Sequence, residues 1–411
     1  MQFFYSFSLK FYHFLIWLIS FKNEKAKKWI NGRKNVFENI ELKKDDEFVI
    51  WMHCASLGEF EQGKPVIEEL LKKVNNSSLI LSFFSPSGYE YKKDYHQAKR
   101  VLYLPLDSKQ NARKWFDAFE PNMFLSIKYE IWPFYLAEAR KRSIPSFLIS
   151  ATFRKSQVYF SIFGSFFRSS LKCFENVMVQ DQSSLLLLEK FGIESVVTGD
   201  TRFDRVAEIK NEKFEDNTIN DFVAENEKVV VFGSTYSQEH KWIQGLINKK
   251  ISTNYKFIIA PHNLDENTLE ELDELFPTAL KYSNYQQEQV KSEILIIDTI
   301  GLLSRIYRYA MLAYVGGGFG GGLHNSLEAV AYGIPVLVGP NHRKFHEVQT
   351  LIDQNGILEL KNENEFNNKI IEILNSSKLS SSMGNTNRDY THQMKGATEK
   401  SVSQILNKLN V

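Results

Sequence analysis

Cysteine is almost missing from this 411-residue chain, which has only Cys54 and Cys173. Two such distant residues build neither a disulfide framework nor a metal site. Each lies in or beside an apolar run, as small core residues in a reducing compartment do. An excess of charge is missing too: 50 Lys and Arg against 49 Asp and Glu leave a net +1. That balance excludes a general polyanion binder, nucleic acid included. A membrane-spanning helix needs about 20 apolar residues in a row. The run 11–21 falls short, with Lys10 before it and His13 inside it. No small-residue cleavage site follows, so a removed signal peptide is not expected. No short-period repeat is visible.

What is present is the makeup of a globular protein. Hydrophobic residues form 43% and charged residues 24% of the chain, enough for a sizeable core. At about 100–200 residues per domain, the length predicts two or three domains. In the first 34 residues the apolar run is followed at once by Lys22, Lys25, Lys27, Lys28, Arg33 and Lys34. That order predicts a membrane anchor whose C-terminal side stays in the cytoplasm, or a helix lying on anionic lipid. A core helix with a solvated basic end is the structural alternative.

From residue 48 the pattern alternates strand and helix. Strands are expected at 48–54, 79–84, 101–106, 123–127, 146–150, 177–180 and 195–199, with helices between, such as one from about 60 to 73. A polar, acidic-rich linker, 206–227, precedes a second set at 228–234, 255–262, 292–298, 311–318 and 334–340. The end, from about residue 378, reads as polar and then helical over 397–409. Such alternation predicts parallel sheets covered by helices on both faces, with ligands beyond the C-terminal ends of the strands.

Residues 311–339, MLAYVGGGFGGGLHNSLEAVAYGIPVLVG, concentrate this signal: strand, six glycines between Gly316 and Gly322, short helix, strand. The free N–H groups and positive end of that helix suit a phosphate or carboxylate. The spacing is not the dinucleotide fingerprint, because the glycines are contiguous and no acidic ribose partner follows about 20 residues on. Asn325 and Glu328 also fit a capping box, a purely structural role.

Several motifs occur together: WMHCASLGEFEQGKPVIEEL (51–70), KYEIWPFYL (128–136), VTGDTRFDR (197–205), FGSTYSQEH (232–240), DTIGLLSRIYRYA (298–310) and GGGLHNSLEAVAYGIPVLVGPNHRKFHEV (320–348). In this order they resemble the 3-deoxy-D-manno-octulosonic acid (Kdo) transferases, which add Kdo to the lipid A precursor, and the likeness covers nearly the whole chain. It implies a GT-B fold of two Rossmann-like domains facing a central cleft, with an N-terminal membrane-associated helix. The expected division is 1–34 anchor and basic flank, 35–205 acceptor domain, 206–227 linker, 228–385 donor domain and 386–411 C-terminal helix. CMP-Kdo is the implied donor, lipid IVA the acceptor, and the inner membrane, on its cytoplasmic side, the location. The anomeric centre inverts, with no metal or other cofactor.

An inverting transferase needs a carboxylate to take the proton of the attacking hydroxyl. Glu59, just after the first strand, is the implied base; an acidic residue favoured by a helix dipole is the plain alternative. Glu130 is implied to stabilise the transition state, although many members read E-T-E-L-W-P where this chain has Lys128 at the first acidic position. Arg202 stands where many members carry Lys and can offset charge on the leaving phosphate; an ion pair with Asp204 or Asp200 is its structural alternative. Ser56 and Gly58 are candidates at the acceptor. For the nucleotide the candidates are Ser234, Thr235, Pro261, His262 (where members often have Arg), Gly301, Leu302, Gly322, Asn325 and Glu328. His324, His342 and His346 form no convincing metal set. Competing readings are another GT-B transferase or an epimerase using a UDP-sugar, and a membrane-tethered sugar-nucleotide binding protein without catalysis.

Overall fold

The computed structural model describes residues 1–38, 43–223, 228–249, 255–285 and 292–410. The chain divides into two compact units, residues 1–205 with 395–411 and residues 206–394.

The first unit is built on β1 (Phe48–Cys54), β2 (Ser77–Phe83), β3 (Ala98–Tyr103), β4 (Met123–Ile127), β5 (Ser146–Ala151), β6 (Asn176–Val179) and β7 (Ser195–Val197). All pairs are parallel, in the order β3-β2-β1-β4-β5-β6-β7. The sequence of β1, FVIWMHC, shows why this sheet is covered on both sides. Successive side chains of a strand point to opposite faces. Val49 and Trp51 enter one core with Trp115, Phe124 and Tyr135, where Trp51 stacks on Phe124 at 3.9 Å. Ile50, Met52 and Cys54 enter the other, with Phe60, Val66 and Ile67. The second core includes Val402 and Ile405 of the terminal helix Ala397–Leu409, which returns to this unit. Its N-terminal N–H groups are satisfied by Asp204, which accepts from Gly396 at 2.7 Å and Thr398 at 2.6 Å.

Two helices precede this sheet, α1 (Gln2–Ser20) and α2 (Glu24–Asn31). Tyr5, Leu9 and Ile16 are half-buried along one stripe of α1, while Phe3, Phe4, Phe7, Phe11, Phe14 and Phe21 are exposed. Among the described residues no helix is long and apolar enough to cross a membrane. Of the two readings given for this segment, anchor or helix on the lipid surface, a spanning helix is thus not found among the described residues; α1 packs by one stripe and exposes apolar side chains elsewhere.

The second unit repeats the architecture with β8 (Lys228–Thr235), β9 (Tyr255–Pro261), β10 (Leu280–Lys281), β11 (Ile294–Ile296), β12 (Ala310–Val315), β13 (Val336–Val338) and β14 (Ile357–Glu359). Its parallel order is β10-β11-β9-β8-β12-β13-β14. β10 and β14, absent from the sequence reading, have two and three residues, too few to show a period. Residues 206–223, expected as linker, hold the end of the helix Thr201–Asn211 and the helix Asn217–Phe222; 224–227 lie outside the described residues.

Candidate active site

In a doubly wound sheet, ligands sit outside the strand C-termini where the strand order reverses. In the first unit that point lies between β1 and β4. Glu59 follows β1, in the first turn of α3 (Leu57–Lys73), and Glu130 follows β4. The Glu59 carboxylate accepts the Ala55 N–H at 2.6 Å. The side chain therefore serves a structural role, accepting a backbone N–H at the entrance of its own helix. Burial, and next the charge of Glu130, push its pKa up to about 8, opposed by the Ala55 N–H and by Lys128. Lys128 thus places a cation within electrostatic reach of Glu59. It also adopts a left-handed backbone, φ +59°, a conformation a lysine takes only under constraint from its surroundings.

One oxygen of the Glu130 carboxylate meets two side chains. This oxygen, Oε2, meets His53 Nε2 at 3.1 Å and accepts the Trp132 indole N–H at 2.9 Å. His53 is fully buried in β1, its Nδ1 bonded to Ser82 Oγ at 2.9 Å. Arg202 lies at the start of the helix Thr201–Asn211; its Nε and a terminal nitrogen reach Asp200 Oδ2 at 2.8 and 2.6 Å. Asp200 is one of the two structural partners expected for it. The Tyr129 hydroxyl is raised by burial, with Arg154 and Arg202 acting against this and Asp181 and Glu59 adding to it. One ring therefore lies within electrostatic reach of Glu59 and two guanidinium groups. Ser56 is the N-cap of α3 but makes no side-chain cap bond, and Gly58 follows it with open space around.

In the second unit the strand order reverses between β8 and β12. Ser234, the last but one residue of β8, has φ +54°. Thr235 is buried, its hydroxyl 3.0 Å from Nε2 of buried His240. Pro261 ends β9, and the N–H of His262 donates to the Thr235 carbonyl at 2.9 Å. The His262 and His324 rings stack at 4.1 Å, and Tyr236 Oη lies 2.9 Å from His324 Nε2. Burial and then His262 lower the His324 pKa to about 4, so the His324 ring is neutral at neutral pH, and burial lowers His262 as well.

The helix expected to start at Asn325 starts at Leu327 and has four residues, Leu327–Val330, with Ser326 as N-cap. Asn325 Nδ2 instead donates to Glu328 Oε1 at 2.9 Å, while its Oδ1 is buried with no hydrogen-bond partner among the described residues. The capping box is thus absent and its two residues hold each other. One turn carries little of a helix dipole, so the helix end itself offers an anion little. Gly322, φ +122°, closes the glycine loop through a bond from its N–H to the Gly317 carbonyl at 3.1 Å. Gly301, φ +93°, and Leu302 immediately precede the helix Leu303–Ile306.

Each unit thus gathers its own candidates at one strand edge. The sequence reading passed over His53, Trp132, Arg154 and Tyr236. His53 lies within an apolar strand run, where only alternation hinted at its face.

Residues 29–205 match the family model described as 3-deoxy-D-manno-octulosonic-acid transferase (kdotransferase). A 3-deoxy-D-manno-octulosonic acid transferase of Aquifex aeolicus is 26% identical over 348 residues, 82% of this chain and 89% of that protein. Another, of Haemophilus influenzae, is 22% identical over 85% of each. Among solved structures, a UDP-GlcNAc 2-epimerase from Neisseria meningitidis bound to UDP-GlcNAc has a TM-score of 0.63 at 17% identity, covering 88% of this chain and 100% of that one. MurG from Acinetobacter baumannii has a TM-score of 0.55 at 13% identity, covering 88% and 99%. At such identities the likeness shows the fold, which is GT-B.

Proposed function

We infer the reaction from one premise: the chain belongs to the 3-deoxy-D-manno-octulosonic acid (Kdo) transferase family, and so is a glycosyltransferase of lipopolysaccharide biosynthesis. We propose that the donor is CMP-Kdo and the acceptor a hydroxyl of the lipid A precursor. Glu59 removes the proton of that hydroxyl as its oxygen attacks the anomeric carbon of Kdo. The C–O bond to the phosphate breaks and CMP leaves with the bonding pair. Glu130, fixed by His53 and Trp132, faces the positive charge that develops on the sugar. Arg202, Arg154 and Lys128 offset the sugar carboxylate and the phosphate. The nucleotide belongs to the second unit: loop N–H groups around Gly320–Gly322 for phosphate, Asn325 and Glu328 for ribose, Gly301 and Leu302 for the base. No metal takes part in this scheme.

The observation carrying the assignment is the Glu59 carboxyl at the β1 edge, held near 8 by burial and by Glu130. A base is stronger when its pKa lies near the working pH. The exposed aromatic face of α1 and the lysines around it support attachment to anionic bilayer, where a lipid acceptor resides; we place the protein on the inner membrane's cytoplasmic side. The test is incubation with CMP-Kdo and tetraacylated lipid A precursor, with the product weighed. Glu59→Ala should cut transfer by about 10²–10⁴-fold while CMP-Kdo still binds. Retained turnover would remove Glu59 from this role.

A further inference from the structure

Asp107 is buried beyond β3 and takes no part in the scheme above. Its carboxylate accepts three hydrogen bonds: from the Tyr5 hydroxyl at 2.8 Å, the Phe134 N–H at 3.1 Å and the Tyr135 N–H at 3.1 Å. Phe134 and Tyr135 belong to the first turn of the helix Pro133–Lys141, whose N-cap Trp132 supplies no side-chain cap. Asp107 thus caps that helix from outside, meeting N–H groups that have no partner within the helix. The residues entering this helix are Glu130, Ile131 and Trp132, and the Trp132 indole holds the Glu130 carboxylate. One carboxylate therefore fixes the helix end to which Glu130 is tied.

The third hydrogen bond comes from α1. The Tyr5 ring packs on Phe134 at 5.8 Å, Phe166 at 5.5 Å and Phe167 at 6.0 Å. The opposite face of α1 exposes Phe3, Phe7, Phe11 and Phe14 to solvent, with Lys10 on the helix and Lys22 and Lys25 just after it. That pairing of aromatic face and cations matches an anionic lipid surface.

We propose that Asp107 is a positioning residue through which α1, once seated on an anionic bilayer, orders the segment carrying Glu130. Lipid contact and assembly of the transfer site are thereby coupled through the Tyr5 hydroxyl. The coupling rests on the roles given above to α1 and Glu130. Burying the aromatic face in lipid restricts α1, and the restriction passes to Asp107 and the capped helix as a shift of population towards the ordered state.

Amide hydrogen exchange on the full chain tests this, using phosphatidylethanolamine vesicles containing phosphatidylglycerol. In the wild type the vesicles should slow exchange at Phe134 and Tyr135 by about tenfold. Tyr5→Phe should float with the same vesicles yet show no slowing. A slowing that survives in Tyr5→Phe overturns the proposal, and so does a bound wild type with unchanged amides or a protein that ignores the vesicles. In the transfer assay, Tyr5→Phe should lower kcat and leave the KM for CMP-Kdo unchanged. A wild type without transfer would sink the functional reading, while the exchange result would still decide this one.

Discussion

In the proposed role of base Glu59 works only when ionised, and at pH 7 a carboxyl with a pKa near 8 is about one-tenth ionised. Transfer should therefore rise with pH and level off near 8. Glu130→Gln removes the second cause of the shift but leaves the first, burial. The rising limb of kcat/KM should move to lower pH without reaching the ordinary carboxylate range. Lys128→Met removes a cation that favours the ionised form and should move the limb upward. A limb unmoved by both changes would mean another group titrates. The same shift has a stability consequence. Folding raises Glu59 from 4.5 to about 8, so the folded chain holds this proton more tightly. The stabilisation is complete below about 4.5 and is lost as pH rises through 8. Glu59→Gln, which stays neutral, should melt higher than the wild type at pH 9 and close to it at pH 5.

At the level of elements, the glycine loop shows what a sequence conveys and what it withholds. Strand, glycines and second strand were legible because β12 and β13 are continuous apolar runs. The length of the helix between them was not, since Asn325 and Glu328 satisfy a capping pattern that the chain does not use. Nor do the six glycines share one purpose. A Cβ on Gly318 would lie 2.6 Å from the Gly339 backbone, whereas one on Gly320 or Gly321 would meet nothing within 4 Å. Rigid backbone cannot yield as a flexible side chain does. Gly318→Ala should therefore destabilise the second unit by about 1–3 kcal/mol, read by denaturant unfolding. Gly320→Ala and Gly321→Ala should leave stability within about 0.5 kcal/mol. If their open side receives the phosphate, both weaken CMP binding in calorimetry; unchanged affinity would place the phosphate elsewhere.

For the whole molecule, the division into two α/β halves was readable from alternating patterns, but the destination of the chain's end was not. The terminal helix shows apolar positions at Val402 and Ile405, and periodicity tells that a face is buried without telling against what. The structure sends it past the second unit to the first, where both residues are fully buried with Phe60 and Val66. Asp204 binds its N-terminus, and a Cβ on Gly199 would lie 3.3 Å from Ala397. Ending the chain at Met394 should therefore damage the unit that carries Glu59, although the cut adjoins the other. Loss of two fully buried aliphatic side chains alone costs about 3–6 kcal/mol, a large share of a domain's stability. Hydrogen exchange should show protection lost across β1, β2 and β4 and kept in β8, β9 and β12. CMP binding should persist as Kdo transfer disappears. Equal loss of protection in both sheets would mean that the units fold as one cooperative body, and the helix would then stabilise the molecule as a whole.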